Sequence, residues 1–395
     1  MFCKYCGNEL PEGANFCSRC GGDQNAPMQS AAAPQGSSIN FDDVKENVQK
    51  VFNTITGDNT KNVITFRELF SEIFKKHSKE DQDALMVSGT GAAGLPQYRE
   101  WRKPWLFSRV LLVLGACFFI LYLCWTLFQQ TAGNIIPGLI FIGSMAIPFS
   151  LMLFFWETNK PRNISLFDVA KVFFVGGALS LLLTFVLQPL FDGILSWGVG
   201  GSIVLALVIG ISEETAKALT AGLFLRQLRS GYILNGLLIG AAVGAGFAVF
   251  ETAGYAMRMS SMEQAIQILF VRGGLSVGGH VVWTAIAGAA LMAMRRPGHP
   301  LRLGDIGNSR FFMLYAVPVL LHALWDFFCF EVWNESLQYV LLGLLIVAAW
   351  VFIVKLINRG FKEEAAISAA MAAQAAAADL SSAGEQTPPP EQPQA

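Results

Sequence analysis

Apolar and polar positions divide the chain into three stretches. Residues 1 to 100 are polar and interrupted, 106 to 357 hold one long apolar run after another, and 364 to 379 is almost all alanine. A helix needs about 20 mostly apolar residues to cross roughly 30 Å of hydrocarbon. Eight runs reach that length, near 107–128, 135–156, 168–190, 199–225, 232–257, 267–294, 311–330 and 336–357. The pattern predicts an all-α polytopic membrane protein of about eight transmembrane helices. Ahead of the first run, Phe66, Leu69, Phe70, Ile73 and Phe74 follow helical spacing behind Thr65 and Glu68, a capping-box pair. They predict one short amphipathic helix that packs on its own chain, with His77 on its polar face and no chemistry assigned to it.

Composition sharpens this picture. Charged residues make up 14% of the 395, against about 25% in an average soluble domain, which excludes an ordinary cytosolic enzyme. Lys plus Arg (28) nearly cancels Asp plus Glu (29), and a nucleic-acid binder held by counterion release needs a positive excess. The expected domains are a ribbon at 1–24, a cytosolic linker with the amphipathic helix at 25–100, an eight-span domain at 101–362 and an Ala/Pro-rich disordered tail at 363–395. No apolar stretch follows Met1 as a signal peptide requires. With the N-terminus inside, fifteen Lys and Arg residues fall on the inner segments and two, Arg258 and Arg272, on the outer ones. Positive charge accumulates on the cytoplasmic side, so the expectation is a multi-pass protein of the cell membrane with both termini cytoplasmic.

The chain opens with Cys3-Lys-Tyr-Cys6 and, ten residues on, Cys17-Ser-Arg-Cys20, each pair followed by glycine. Two such knuckles offer four thiolates to one tetrahedral zinc, and a closed four-cysteine site is structural. A two-disulfide module fits the same count but not the reducing cytosol. The segment resembles the short zinc-ribbon module of many bacterial membrane proteins. Cys117, Cys124 and Cys329 are expected to act as small buried hydrophobes.

Charged side chains inside hydrocarbon cost several kcal/mol and mark functional sites by default. Here they fall in four consecutive spans, as Glu213, Glu214 and Lys217, then Glu251, then His280, then His322 with Asp326. At about 1.5 Å per residue, Glu213, Glu251, His280 and His322 lie at comparable depth, able to share one cavity. Gly236, Gly240 and Gly244 form a ridge of small residues that lets helices approach. Glu213 and Glu214 diverge by about 100° on a helix and should divide the work. One is held by Lys217 and the other faces the cavity as a water-activating base, in an order the sequence leaves open.

These residues resemble the PrsW family of intramembrane proteases. Glu213-Glu214-Thr-Ala-Lys217 looks like that family's EExxK element and Phe247 to Glu251 like its FxxxE element, with His280 and His322 on the spans that follow. The resemblance covers about 198 to 357. It implies hydrolysis of membrane-embedded or membrane-adjacent protein substrates, anti-sigma factors among them, with Glu213, Glu214, Lys217, Glu251, His280 and His322 as the catalytic set.

Two mechanisms follow from the residues. In one, Glu251, His280 and His322 ligate a catalytic zinc while Glu213 or Glu214 acts as base. In the other, a glutamate activates water alone and the histidines donate to the oxyanion. Asp326 either orients His322 or lies near the outer surface. Two rival functions are a proton- or ion-coupled transporter, which would also keep such groups in the membrane, and a non-catalytic scaffold. The absence of paired repeats weighs against the transporter.

Overall fold

The structure is a computed structural model that describes residues 1–3, 8–19, 23–25, 41–60, 62–87, 89, 101–128, 132–195, 201–228, 231–295 and 301–384. It divides into two units, Met1–Gln49 and Lys50–Ala395. In the first, antiparallel bridges pair Phe2 with Glu9 and Phe16 with Asp23, while Cys3, Leu10 and Cys17 form a small buried cluster. The Arg19 backbone N–H donates to Cys17 Sγ at 3.4 Å. Cys6 and Cys20 lie outside the described residues.

Helices make up the rest. Helix α1 (Phe41–Thr56) was not legible in the apolar pattern; α2 (Phe66–Leu69) and α3 (Lys79–Met86) follow it. Thr65 and Glu68 do form a capping box, yet the helix they open is shorter than the spacing predicts. Phe70 leaves the helical backbone (φ −109°, ψ 9°) and stacks on Phe154 with ring centroids 5.6 Å apart.

From Leu106 onward the helices are α4 (Leu106–Leu127), α5 (Ile136–Thr158), α6 (Leu166–Lys171) running through a π-helical turn (Val172–Gly176) into α7 (Gly177–Leu195), and α8 (Ser202–Leu225). They continue with α9 (Ile233–Met257), α10 (Met262–Leu275), a 3-10 turn (Ser276–Gly278), α11 (His280–Ala293), the short α12 (Leu303–Ile306), α13 (Ser309–Glu331) and α14 (Glu335–Gly384). Among the described residues seven passages are long and apolar enough to cross a membrane. Helix α8, at 24 residues, has the length for an eighth but carries Glu213, Glu214 and Lys217. The passage expected at 267–294 is interrupted at Ser276–Gly279. The tail expected to be disordered from 363 continues as helix to Gly384, because alanine is the strongest helix former; residues 385–395 lie outside the described ones.

Helix α9 is the centre of the bundle, with most of Ile233 to Val249 buried. Its glycine ridge meets α11 backbone to backbone. A Cβ at Gly240 would stand 2.1 Å from Thr284 O, and one at Gly244 would stand 2.3 Å from His280 O. No larger residue fits either place, and the close approach fixes His280 against α9.

The stretch from residue 50 to 107 is anchored to the helices. Asn358 Oδ1 accepts the N–H groups of Val63 and Ile64 at 2.6 and 2.7 Å, and Lys362 pairs with Asp58 at 2.9 Å. The buried Glu157 carboxylate accepts the N–H groups of Trp105, Leu106 and Phe107 at 2.8–2.9 Å, which caps α4 where its own sequence offers no capping side chain.

Candidate active site

Four helices bring the intramembrane ionisable residues into one cluster. From α8, Lys217 is fully buried, its Nζ 2.7 Å from Glu214 Oε1 and 3.2 Å from Glu213 Oε2. Glu214 is also fully buried, while 12% of the Glu213 side chain is exposed. The two carboxylates left undivided by the sequence are therefore distinct: Glu213 lines a cavity and Glu214 faces away from it.

Each histidine is held by a carboxylate. His280 Nε2 lies 3.0 Å from Glu251 Oε2 and its Nδ1 lies 2.9 Å from Lys217 Nζ. An ammonium only donates, so Nδ1 accepts and the ring proton on Nε2 goes to Glu251. His322 Nδ1 lies 2.9 Å from Glu214 Oε1, leaving its Nε2 3.8 Å from Glu213 Oε2 and 3.5 Å from Asp326 Oδ2. Asp326 thus sits beside His322 on the cavity rather than away from it. The two imidazole rings are 5.1 Å apart, and Trp283 stacks on His322 at 4.7 Å. Phe247 packs over Lys217 Nζ at 4.2 Å and against His280 at 5.1 Å, which explains why an aromatic residue sits one turn before Glu251.

The cavity has a volume of about 240 Å³, lined by Glu213, Glu251, His280, His322 and Asp326 together with apolar groups such as Leu275 and Leu342. At roughly 30 Å³ per water molecule, it holds several waters or one side chain of a substrate.

Donor atoms of Glu213, His280 and His322 all lie within 4.8 Å of one another. This differs from the sequence grouping of Glu251, His280 and His322. The Glu251 carboxylate is taken up by Arg272, at 2.5 Å, as well as by His280. Sequence reasoning missed Arg272, having counted it among outer loop charges; it lies in the last turn of α10 and lines the cavity. The available signal was a cation inside an apolar run, the same signal that exposed the glutamates.

A carboxylate and two imidazoles suit hydrolytic zinc, and ligating histidines usually give their second nitrogen to a carboxylate or carbonyl. Here Glu251 and Glu214 serve His280 and His322 in that way. Glu214 Oε2 is buried and without a hydrogen-bond partner beside the same donors, while its Oε1 is paired with Lys217 and His322. The donor types present therefore fit a divalent cation, which would take over the His280 Nδ1 lone pair that now accepts from Lys217.

Comparison with known families agrees with the geometry. Residues 167–356 match the family model described as PrsW family intramembrane metalloprotease, and residues 2–23 match a zinc-ribbon domain. No curated protein and no solved structure matches the chain. The membrane domain at residues 167–356, with its charged residues gathered at one cavity, is that of the PrsW family of intramembrane metalloproteases, and a zinc ribbon precedes it at residues 2–23.

Proposed function

We propose that the cavity bounded by Glu213, His280 and His322 hydrolyses peptide bonds of membrane-embedded proteins, and that Glu213 is the carboxylate that meets the reacting water. The observation that carries this reading is the convergence of those three donors within 4.8 Å at a cavity between membrane-length helices. Peptide hydrolysis there needs water, a group to activate it and a stabiliser for the developing oxyanion.

Glu213, His280 and His322 would hold the metal. When bound, it supplies an acidified water and polarises the scissile carbonyl. Glu251 and Glu214 keep the two imidazoles in fixed tautomers, and Lys217 balances the glutamates of α8. One observation favours a metal-free variant of the same site. The Lys217 ammonium already stands among these donors, 2.9 Å from His280 Nδ1. In that variant Glu213 takes the water proton and His322, whose Nδ1 is held by Glu214, donates to the oxyanion from Nε2 of its protonated ring, since both nitrogens of His280 are engaged by Lys217 and Glu251. The substrates are single-span membrane proteins, anti-sigma factors by resemblance. The ribbon carries a structural zinc on Cys3, Cys6, Cys17 and Cys20, and the bias of loop charges supports a cytosolic ribbon end in a cell-membrane protein.

Purified protein in vesicles, offered a panel of tagged single-span substrates, tests the reading. Cleavage by the wild type and none by Glu213→Gln is expected, with both proteins folded; equal cleavage by the two would overturn it. Stringent chelation of a ribbon-deleted chain then separates the variants, since activity that survives metal removal leaves only the metal-free route.

A further inference from the structure

We propose that Arg272 is a positioning residue of the hydrolytic site: its guanidinium fixes the Glu251 carboxylate in the place from which it orients His280. The inference rests on the function proposed above and adds a residue outside both the EExxK and FxxxE elements.

The geometry is specific. Arg272 closes α10 just before the interruption at Ser276–Gly279, and His280 opens α11 just after it. The two residues therefore stand on separate helical pieces, and nothing in the local backbone ties their side chains together. Glu251 bridges them from α9. Its Oε2 accepts from Arg272 at 2.5 Å and from His280 Nε2 at 3.0 Å. Tyr255, one turn beyond Glu251 on the same helix, places its ring 4.3 Å from the Arg272 guanidinium. The arginine is thus clamped against one face of α9 by a carboxylate and an aromatic ring, and a planar guanidinium suits both contacts where an ammonium suits the first alone.

A carboxylate oxygen shared by two donors is held more firmly in direction than one bound by a single imidazole. Without Arg272, Glu251 keeps only His280 among these two partners and is free to turn toward Lys217, which its charge attracts across the same cluster. His280 then loses the fixed acceptor that sets its ring orientation and tautomer. Stability is not the main use of the pair. With the Arg272 side chain 32% exposed, solvent weakens its contribution to folding, whereas its effect on direction persists. The expected signature is therefore a loss of turnover with little loss of fold.

The experiment combines kinetics with histidine spectroscopy on the full-length chain in vesicles or detergent. The protein has four histidines, so selective ¹⁵N labelling gives few ring signals, and Glu251-bound His280 is identified by the signal lost in His280→Ala. In the wild type its ring N–H should be slow to exchange with water. Arg272→Gln should make that N–H exchange rapidly and lower kcat by about 10- to 100-fold, the range for carboxylates and their partners behind a ligating histidine. KM and melting temperature should change little, and Arg272→Lys should recover part of both readouts. An unchanged ring signal in Arg272→Gln, or an unchanged kcat, overturns the proposal. If Arg272→Gln does not fold, Arg272→Lys is read by the same two criteria against the wild type. A wild type that cleaves nothing would sink the hydrolytic reading, and the ring signal would still report whether Arg272 orients His280.

Discussion

Glu213 and Glu214 are neighbours in sequence with different surroundings. A helix turns by about 100° per residue, so only one of the two can face the cavity, and it is Glu213. Glu214 spends its charge on Lys217 and His322. Glu214→Gln is expected to reduce cleavage by about 10- to 100-fold, through a misdirected His322, where Glu213→Gln abolishes it; kinetics of the two purified variants compare them. Lys217 is the fully buried cation that makes both glutamates tolerable. Breaking a buried pair by removing one partner costs about 3–5 kcal/mol. Lys217→Met should therefore lower the unfolding temperature in detergent, and a melting curve unchanged from the wild type would contradict the role given to it. The identities of these residues were legible because charge in an apolar run is conspicuous. Their division of labour was not, since it depends on which neighbours stand on each side of α8.

At the scale of elements, the contact between α9 and α11 and the interruption before His280 position the site together. The glycine ridge was readable from spacing, but its partner was not; Gly244 turns out to press on the carbonyl of His280 itself. Gly244→Ala should cost about 1–3 kcal/mol by overpacking and should also reduce cleavage, because the backbone that must yield carries a site residue. Thermal melting and kcat measured on the same preparation check both parts. The interruption at Ser276–Gly279 escaped the sequence reading because no proline marks it and the apolar run continues through it. Its fixed points come from elsewhere. Gly278 packs against Ile346, and the Trp350 indole N–H donates to Val277 O at 2.9 Å, both from α14. Non-helical backbone at membrane depth is tolerated where protein or an aqueous cavity surrounds it, and here it adjoins the cavity.

For the molecule as a whole, the stretch beginning at Lys50 is anchored on α14 by side chains some 300 residues distant. Burial alone would push the Asp58 carboxyl up, but hydrogen bonds from Lys362 and from the Thr60 N–H and hydroxyl outweigh it and hold the group below its ordinary value of 3.8. The sign follows from linkage. A carboxyl lowered in the folded state adds stability that is fully present above its unfolded value and is lost as pH falls through the lowered one. Asp58→Asn should therefore speed amide exchange of Ile64 relative to the wild type at pH 6, with the difference shrinking as the medium is acidified below about 4. An equal exchange rate at pH 6 would remove Asp58 from this anchorage. Aromatic contacts extend it toward the site, since Phe66 and Phe70 both pack on Trp350, the residue that reaches the interruption before His280.

Sequence alone determined the membrane class, the positions of the long helices, the four-cysteine opening and the set of charged residues that converge. Each of these follows from a local property, apolar length, knuckle spacing or the cost of a charge in hydrocarbon, that a chain displays without its partners. Tertiary structure decided which glutamate faces the cavity, that Glu251 binds Arg272 and His280, that Glu213 joins the two histidines, and where the sixth passage is interrupted. Those outcomes depend on distances between helices far apart in the chain, and apolar patterning fixes how a helix faces lipid without fixing which neighbour it meets.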